Sequence, residues 1–367
     1  MFLSLQNVYL SEWIWKEICF VMKFLFIGSS VLFVLFLYFF FSFHTKAKQL
    51  SNAKKQEDRE KRLQFAKKAN SLKWAWIVAL IGVLISGVFT LQSKGAKTIT
   101  MPHLHGLGYS ADGQRIMIPS HDGLKVYSQG TWSEASGEKH DYMGFTTVSN
   151  GFYSSGHPAP GSNMKNPLGI VKSSDEGKSL EHLDLYGEVD FHLLNAAYNT
   201  HTLYVFNPEP NTRLKTAGLY YTKDETKTWT KSEMNGLTDE PVALAVHPTN
   251  DAIVAVGTKK ALYLSKDSGN LFEKVADLQV TALSFNQQGA LFVGAYKQNG
   301  ELYEMDPATK QMKEITIPVL VEDAAAYVAQ NPVNDKELVF ATYKKDVYLS
   351  KDKGINWTKI ADQGKGM

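Results

Sequence analysis

Four near copies of one short phrase recur along the C-terminal half of this 367-residue chain. They are Ser173-Ser-Asp175-Glu-Gly177-Lys-Ser179-Leu180, Thr222-Lys-Asp224-Glu-Thr-Lys-Thr228-Trp229, Ser265-Lys-Asp267-Ser-Gly269-Asn-Leu-Phe272 and Ser350-Lys-Asp352-Lys-Gly354-Ile-Asn-Trp357. Each follows a short apolar or aromatic run, such as Ala261-Leu-Tyr-Leu264 or Asp346-Val-Tyr-Leu349. Self-similarity at a fixed period of a few tens of residues is the signature of a solenoid or a propeller, in which each repeat is one supersecondary unit. No other feature narrows the fold so far.

The aspartates of the four copies are 49, 43 and 85 residues apart, so the last interval holds two periods and a worn copy is expected inside it. Glu301-Leu-Tyr-Glu-Met-Asp306 fills that place, and Gly123-Leu-Lys-Val-Tyr-Ser128 followed by Thr131-Trp132 is a further relic upstream. Runs then begin at 123, 169, 218, 261, 301 and 346, which makes six units. Each unit also carries two apolar runs ahead of its phrase, as in Val242–Val246 and Ala252–Gly257, or Ala324–Ala329 and Glu337–Thr342. The turns between them, His247-Pro-Thr-Asn-Asp251 and Asn331-Pro-Val-Asn-Asp335, pair a proline that presets φ with Asn/Asp side chains that bond their own backbone. A fourth run follows each phrase, for example Trp357–Ile360. Four short strands per unit without helical periodicity predict an all-β domain, a six-bladed β-propeller over 98–363. Seven blades are the alternative if Thr98–Met101 begins an extra sheet.

The first ninety residues are of another kind. Phe24–Phe43 is free of charge for twenty residues and Trp74–Leu91 for eighteen. At 1.5 Å per residue either run crosses a hydrocarbon layer of about 30 Å, the second barely. Signal-peptide cores are shorter and end at a small-residue cleavage site, which neither run has. Two transmembrane helices, 24–43 and 74–91, are therefore expected, with residues 1–43 as the N-terminal segment. The segment 44–73 between them carries ten Lys/Arg against Glu57, Asp58 and Glu60. Short basic loops stay in the cytoplasm, which places the domain after Leu91 outside the cell; the same loop suits anionic lipid. Met22-Lys23 resembles an ordinary start, so Met1 and Met22 both stand as starts.

After residue 91 there are 27 basic and 32 acidic residues. Nucleic-acid binding rests on phosphate neutralisation, and a mildly acidic domain argues against it. The one cysteine, Cys19, precedes the first apolar run, so the outer domain has no disulfide, which fits a bacterial cell-surface protein.

The phrase resembles the Asp box (S-x-D-x-G-x-x-W) of sialidases, sortilin-type receptors and related propellers. That resemblance implies that Asp175, Asp224, Asp267 and Asp352 are structural, bracing a turn between third and fourth strands on the face opposite the ligand. The opposite, top face collects the entries to first strands and the turns between second and third strands. By this count it gathers His103 and His105, His121 and Asp122, His140 and Asp141, His157, and Asp190 with His192, while Glu240 and Asp323 take similar positions in blades four and six. Of these, His103, His105, His121, Asp122, His140, Asp141, His157, His192 and Asp323 are the candidate ligand-binding residues. His103, His105, His121, His140 and His192 are also candidate ligands for a divalent transition metal, since imidazole with carboxylate suits Zn, Cu, Ni or Fe. The competing reading makes the same histidines braces of tight loops, and sequence leaves the two open.

For chemistry, a glycosidase needs two carboxylates at a set separation, and Asp141, Asp190 and Glu240 are the catalytic candidates. Sialidases hold their substrate carboxylate with three arginines; this domain has Arg115 and Arg213 only, and lysine does not replace a bidentate guanidinium. The motifs His103-Leu-His-Gly-Leu-Gly-Tyr109, Ser120-His-Asp-Gly-Leu124, Gly156-His-Pro-Ala-Pro-Gly161 and Asp190-Phe-His-Leu193 are similar to those of bacterial membrane-anchored Asp-box propellers labelled glycosyl hydrolases. The resemblance spans most of 101–360. The sequence thus predicts a bacterial membrane protein whose propeller binds a glycan, peptide or protein at its top face, with glycoside hydrolysis and surface metal binding as alternatives.

Overall fold

The computed structural model describes residues 2–52, 54–92 and 98–367. Met1 lies outside them, as do the side chains of Cys19 and Met22. The chain divides into two compact units, Met1–Lys97 and Thr98–Met367.

The first unit is a helical hairpin of Phe2–Gln49 and Gln56–Gln92. Both helices are apolar and long enough to cross a membrane. They run well past their apolar stretches, so most of the basic segment is helical rather than a loop, with a break near Leu50–Lys55. Arginine and lysine are good helix formers, and three acidic residues open the second helix, two of them in its first turn, where the dipole favours them. Aromatic contacts join the helices: Phe33 with Trp76 at 6.2 Å, Phe43 with Phe65 at 6.1 Å, and Lys46 over the Phe65 ring at 5.8 Å.

The second unit is a six-bladed propeller. Its six antiparallel sheets follow one another along the chain: Gly108–Glu134, Asp141–Asp184, Leu194–Lys231, Pro241–Ala276, Gln279–Glu314 and Ala325–Gly366, here blades 1 to 6. Strands within each blade pair in sequence order, and the first strands of neighbouring blades meet around the axis. Third strands begin at Gly123, Ile170, Gly218, Leu262, Gly300 and Val347, within one residue of the repeat read from sequence. One cluster of buried apolar side chains fills each of the six gaps between adjacent blades, including the gap from blade 6 to blade 1. Each sheet is thus covered on both faces. That is why middle strands such as Val254–Thr258 and Leu338–Thr342 are buried at every position instead of alternating.

Thr98–Met101 starts no seventh sheet. It pairs with the last blade through the Thr100–Lys365 bridge and the bonds Met101 N to Gly364 O (2.7 Å) and Gly366 N to Ile99 O (2.9 Å). The two ends of the domain close one blade, and so close the ring. Indole N–H groups stitch neighbouring blades in a repeated way: Trp132 to Ile360 O at 2.7 Å, Trp229 to Asp184 Oδ2 at 2.9 Å, and Trp357 to Thr316 O at 2.9 Å.

The four clear phrases form one turn four times. The aspartate Oδ1 accepts the hydroxyl of the Ser or Thr two residues before it and the backbone N–H four residues on, at 2.8–2.9 Å in each copy. Two consecutive residues then take positive φ, Lys353 (61°) and Gly354 (82°) in the last copy. In blade 3 the second of these is Thr226, at 70°, an uncommon conformation for a β-branched side chain. The worn copies differ: blade 1 uses the two-residue turn Gln129-Gly130, and in blade 5 Asp306 caps the N–H groups of Ala308 and Thr309.

Candidate functional site

Antiparallel order puts the entries to first strands and the turns between second and third strands at one end of the propeller, and the four repeated turns at the other. At the first end, blades 1 to 3 contribute seven ionisable side chains, His103, His105, His121, Asp141, His157, Asp190 and His192. Residues 102–107 lead into the short first strand Gly108–Tyr109, with His105 N–H held by Pro119 O at 3.1 Å. His121 forms with Asp122 the two-residue turn between Ile116–Ser120 and Gly123–Ser128. Asp141 opens the first strand of blade 2 and pairs with His157, which ends the second. Asp190 and His192 precede Leu194–Ala196 in blade 3.

Two glycines allow these segments to approach. A side chain at Gly144, φ 53°, would collide with Phe191 O at 2.3 Å, so only glycine lets the Asp190–His192 segment lie on blade 2. A side chain at Gly156, φ 115°, would strike Asp141 O at 2.0 Å. Phe191 is fully buried, and its N–H is held by Ser155 Oγ at 2.9 Å, which anchors the pair on either side of it.

His105, His121 and Asp141 form a tight group. His121 Nδ1 is 2.6 Å from Asp141 Oδ2, His105 Nε2 is 3.3 Å from His121 Nδ1, and His105 Nε2 is 3.6 Å from Asp141 Oδ1. The His103 ring lies 4.6 Å from that of His121. Beside this group stands a second: Asp190 Oδ2 is 3.4 Å from His157 Nε2 and 3.5 Å from His192 Nδ1, and His157 Nδ1 meets Asn166 Oδ1 at 2.6 Å. Asp141 Oδ1 and Asp190 Oδ1 are both buried without a hydrogen-bond partner. Burial pushes the His105 imidazole down to about 4, against the pull of Asp141 and with the push of the neighbouring His121, His103 and His192. Burial raises the Asp190 carboxyl, His192 and His157 oppose the rise, and Asp141 adds to it. The groups therefore feel one another. His105 and His192 also line an axial cavity of about 390 Å³, whose remaining lining is uncharged and includes Tyr109, Tyr198, Tyr327 and Tyr343.

Four expected participants lie elsewhere. His140 lies in the loop just before the strand that Asp141 opens. Its ring is 2% exposed, turned toward Tyr142, with Nδ1 accepting the Ala159 N–H at 3.0 Å; it is a loop brace and joins no metal group. Asp122 turns to the buried ammonium of Lys125 at 3.0 Å. Asp323 is buried and caps Ala324 N at 2.9 Å and Lys344 N at 3.2 Å. Glu240 is exposed at the entry to blade 4 and joins no described hydrogen bond or ion pair. The arginines are engaged too, Arg115 with Asp112 and Glu176, Arg213 with Asp184 and two backbone carbonyls. Sequence reasoning overlooked Ser155 and Lys125. Ser155 sits in a strand like any other serine, and Lys125 at an apolar position was the readable signal.

Among known proteins, no family model and no curated protein matches the chain. Solved structures do. A GH74 enzyme of Niastella koreensis is 16% identical with a TM-score of 0.49, over 71% of this chain and 46% of that one. YCF48 bound to a D1 peptide is 13% identical with a TM-score of 0.43, over 72% and 84%. The Cps50 (Swd1) β-propeller domain of Myceliophteria thermophila is 11% identical with a TM-score of 0.49, over 73% and 89%. The chain spans less than half of the GH74 enzyme it matches. The six sheets themselves make residues 108–366 a six-bladed β-propeller, preceded in the chain by two helices apolar and long enough to cross a membrane.

Proposed function

We propose that the protein is a membrane-anchored β-propeller of a bacterial cell surface that binds an extracellular glycan, peptide or protein at the end where His103, His105, His121, Asp141, His157, Asp190 and His192 meet. The observation that carries the reading is the gathering of these histidines around Asp141 and Asp190, each of which keeps one buried carboxylate oxygen, Oδ1, without a hydrogen-bond partner, while His105 and His192 of the same cluster line the axial cavity. Buried polar atoms are ordinarily bonded, and leaving one unmet costs about 1–3 kcal/mol. The basic segment 44–73 supports the outer placement of the propeller. GH74 enzymes and a peptide-bound YCF48 are among the propellers of like fold, and fold alone does not choose between their activities.

A second reading has its own observation. Asp190, raised by burial, next to an Asp141 carboxylate tied to His121, is the pairing of an acid and a base that glycoside hydrolysis needs. One experiment addresses both. Detergent-solubilised full-length protein is tested on immobilised glycans and peptides and with aryl glycosides, beside the Asp141→Asn, Asp190→Asn and Asp352→Asn variants. The binding reading expects a ligand lost with Asp141→Asn and kept with Asp352→Asn. A ligand that depends on Asp352 and ignores Asp141 and Asp190 would reverse the assignment of faces. Turnover that vanishes with Asp190→Asn would favour the hydrolase.

A further inference from the structure

His105, His121 and Asp141 present more acceptors than protons. The 2.6 Å contact of His121 Nδ1 with Asp141 Oδ2 takes one proton. His105 Nε2 then faces His121 Nδ1 at 3.3 Å and Asp141 Oδ1 at 3.6 Å, the latter beyond hydrogen-bond reach. Asp141 Oδ1 remains buried and unbonded. A single cation meets both needs. Donor atoms about 2.0–2.2 Å from one ion, at angles between octahedral and trigonal, stand roughly 3.0–3.6 Å from each other. Two of the three separations already fall in that range, and the third is shorter because a proton holds it closed. His103 adds an imidazole at 4.6 Å between ring centres from His121 on the exposed side. No Lys or Arg forms an ion pair with Asp141, so nothing cationic competes for its oxygens among the described residues.

We propose that His105 Nε2, His121 Nδ1 and one Asp141 oxygen coordinate a single divalent transition-metal ion of the zinc, copper or nickel kind, with the remaining positions open to solvent or ligand. Two nitrogen donors and one carboxylate disfavour magnesium and calcium, which take all-oxygen shells. Binding exchanges the proton on His121 Nδ1 for the ion, and that proton moves to the far ring nitrogen or leaves to water. His105 also lines the axial cavity, as does His192, so a ligand held in that cavity lies beside the ion. The ligand class follows: a molecule whose carboxylate, hydroxyl or amide oxygen reaches the ion while its uncharged remainder enters a cavity lined by tyrosines and aliphatic side chains. This rests on the binding reading of that end and adds the ion to it.

The test uses the full-length chain in detergent micelles, stripped with chelator and dialysed, then titrated with Zn(II) against a chromophoric chelator and with Co(II) by visible absorption. One equivalent per chain is expected. His121→Ala and Asp141→Asn should each weaken it by at least the roughly 10–100-fold that loss of a mere outer-shell partner costs. His201→Ala should not, since His201 is bonded to Ser149 in another part of the domain. His121 is 43% exposed and Asp141→Asn preserves shape, so both variants are expected to fold, which their melting curves report. No ion bound above the level of the His121→Ala variant, or binding lost with His157→Ala and His192→Ala in its place, overturns the assignment. A stripped chain that holds no ion yet captures a ligand through His121 also sinks the metal while sparing the binding reading. Ion bound through Asp141 without any ligand upholds the metal on its own.

Discussion

Consider His105→Gln under mild acid. In the native protein burial holds the imidazole at about 4, whereas in the unfolded chain it titrates near its ordinary 6.5. Between those values the unfolded state carries a proton that the folded state refuses, so stability falls as pH falls, starting near 6.5 and ending near 4. The full difference corresponds to about 3 kcal/mol at 1.36 kcal/mol per unit. The ring is close to the open rim, and solvent screening leaves roughly 1–2 kcal/mol of that. Glutamine keeps a polar side chain of similar reach and removes the titration. Urea unfolding of the full-length protein in micelles, at pH 7 and pH 4.5, measures the loss for both chains. With a slope of about 3 kcal/mol/M, wild type should lose some 0.3–0.7 M more in midpoint than the variant. His140, His201 and His247 are also lowered by burial and act in the same sense, but they are common to both chains and cancel. An acid loss equal in wild type and variant would show that His105 is not held neutral by its surroundings, and the picture of a pre-deprotonated imidazole at this site would fall.

The other expectations are shorter. Asp190→Asn removes a desolvated carboxylate, so at pH 7 it should raise the urea midpoint while ligand capture is lost, the opposition of stability and function typical of a site; a lowered midpoint would mean that the imidazoles on either side fully offset its burial. Trp132→Phe deletes the bond to Ile360 O across the closing seam and should cost about 1–3 kcal/mol, read as a melting shift of some 2–8 °C, without changing zinc affinity. Asp352→Ala opens the turn that accepts Ser350 Oγ and Asn356 N–H, and should lower the melting point while leaving metal and ligand binding as in wild type. A single cysteine at Lys353 in a Cys19→Ser background should react with an impermeant maleimide on intact cells, and one at Lys61 should not; the reverse pattern would invert the membrane orientation.

The blade count, the positions of the third strands and the turn they lead into are written in local sequence. A strand–turn–strand unit is built from contacts between residues close along the chain, and Ser350, Asp352, Gly354 and Asn356 make their turn from one another alone. The worn copies at Gly123 and Glu301 were findable because a ring of equal blades imposes an equal period. That one end of the propeller gathers histidines also follows from strand order. Which of them meet does not, because it depends on contacts between segments far apart in the chain. His105, His121 and Asp141 are brought together by packing of blade 1 on blade 2, while His140, one residue before that strand, is turned to Tyr142 and Ala159. Asp323 and Asp122 lie at the same end of the propeller, yet Asp323 Oδ1 accepts the Ala324 and Lys344 N–H groups and Asp122 Oδ2 pairs with Lys125, so neither meets the histidines. Whether Thr98–Met101 starts a blade or completes one was likewise decided by what lay free at the far end of the chain, the edge strand at Lys365. Spacing repeats are therefore legible from sequence, whereas a binding constellation is a property of the closed ring, where the packing of segments far apart in the chain decides which side chains meet.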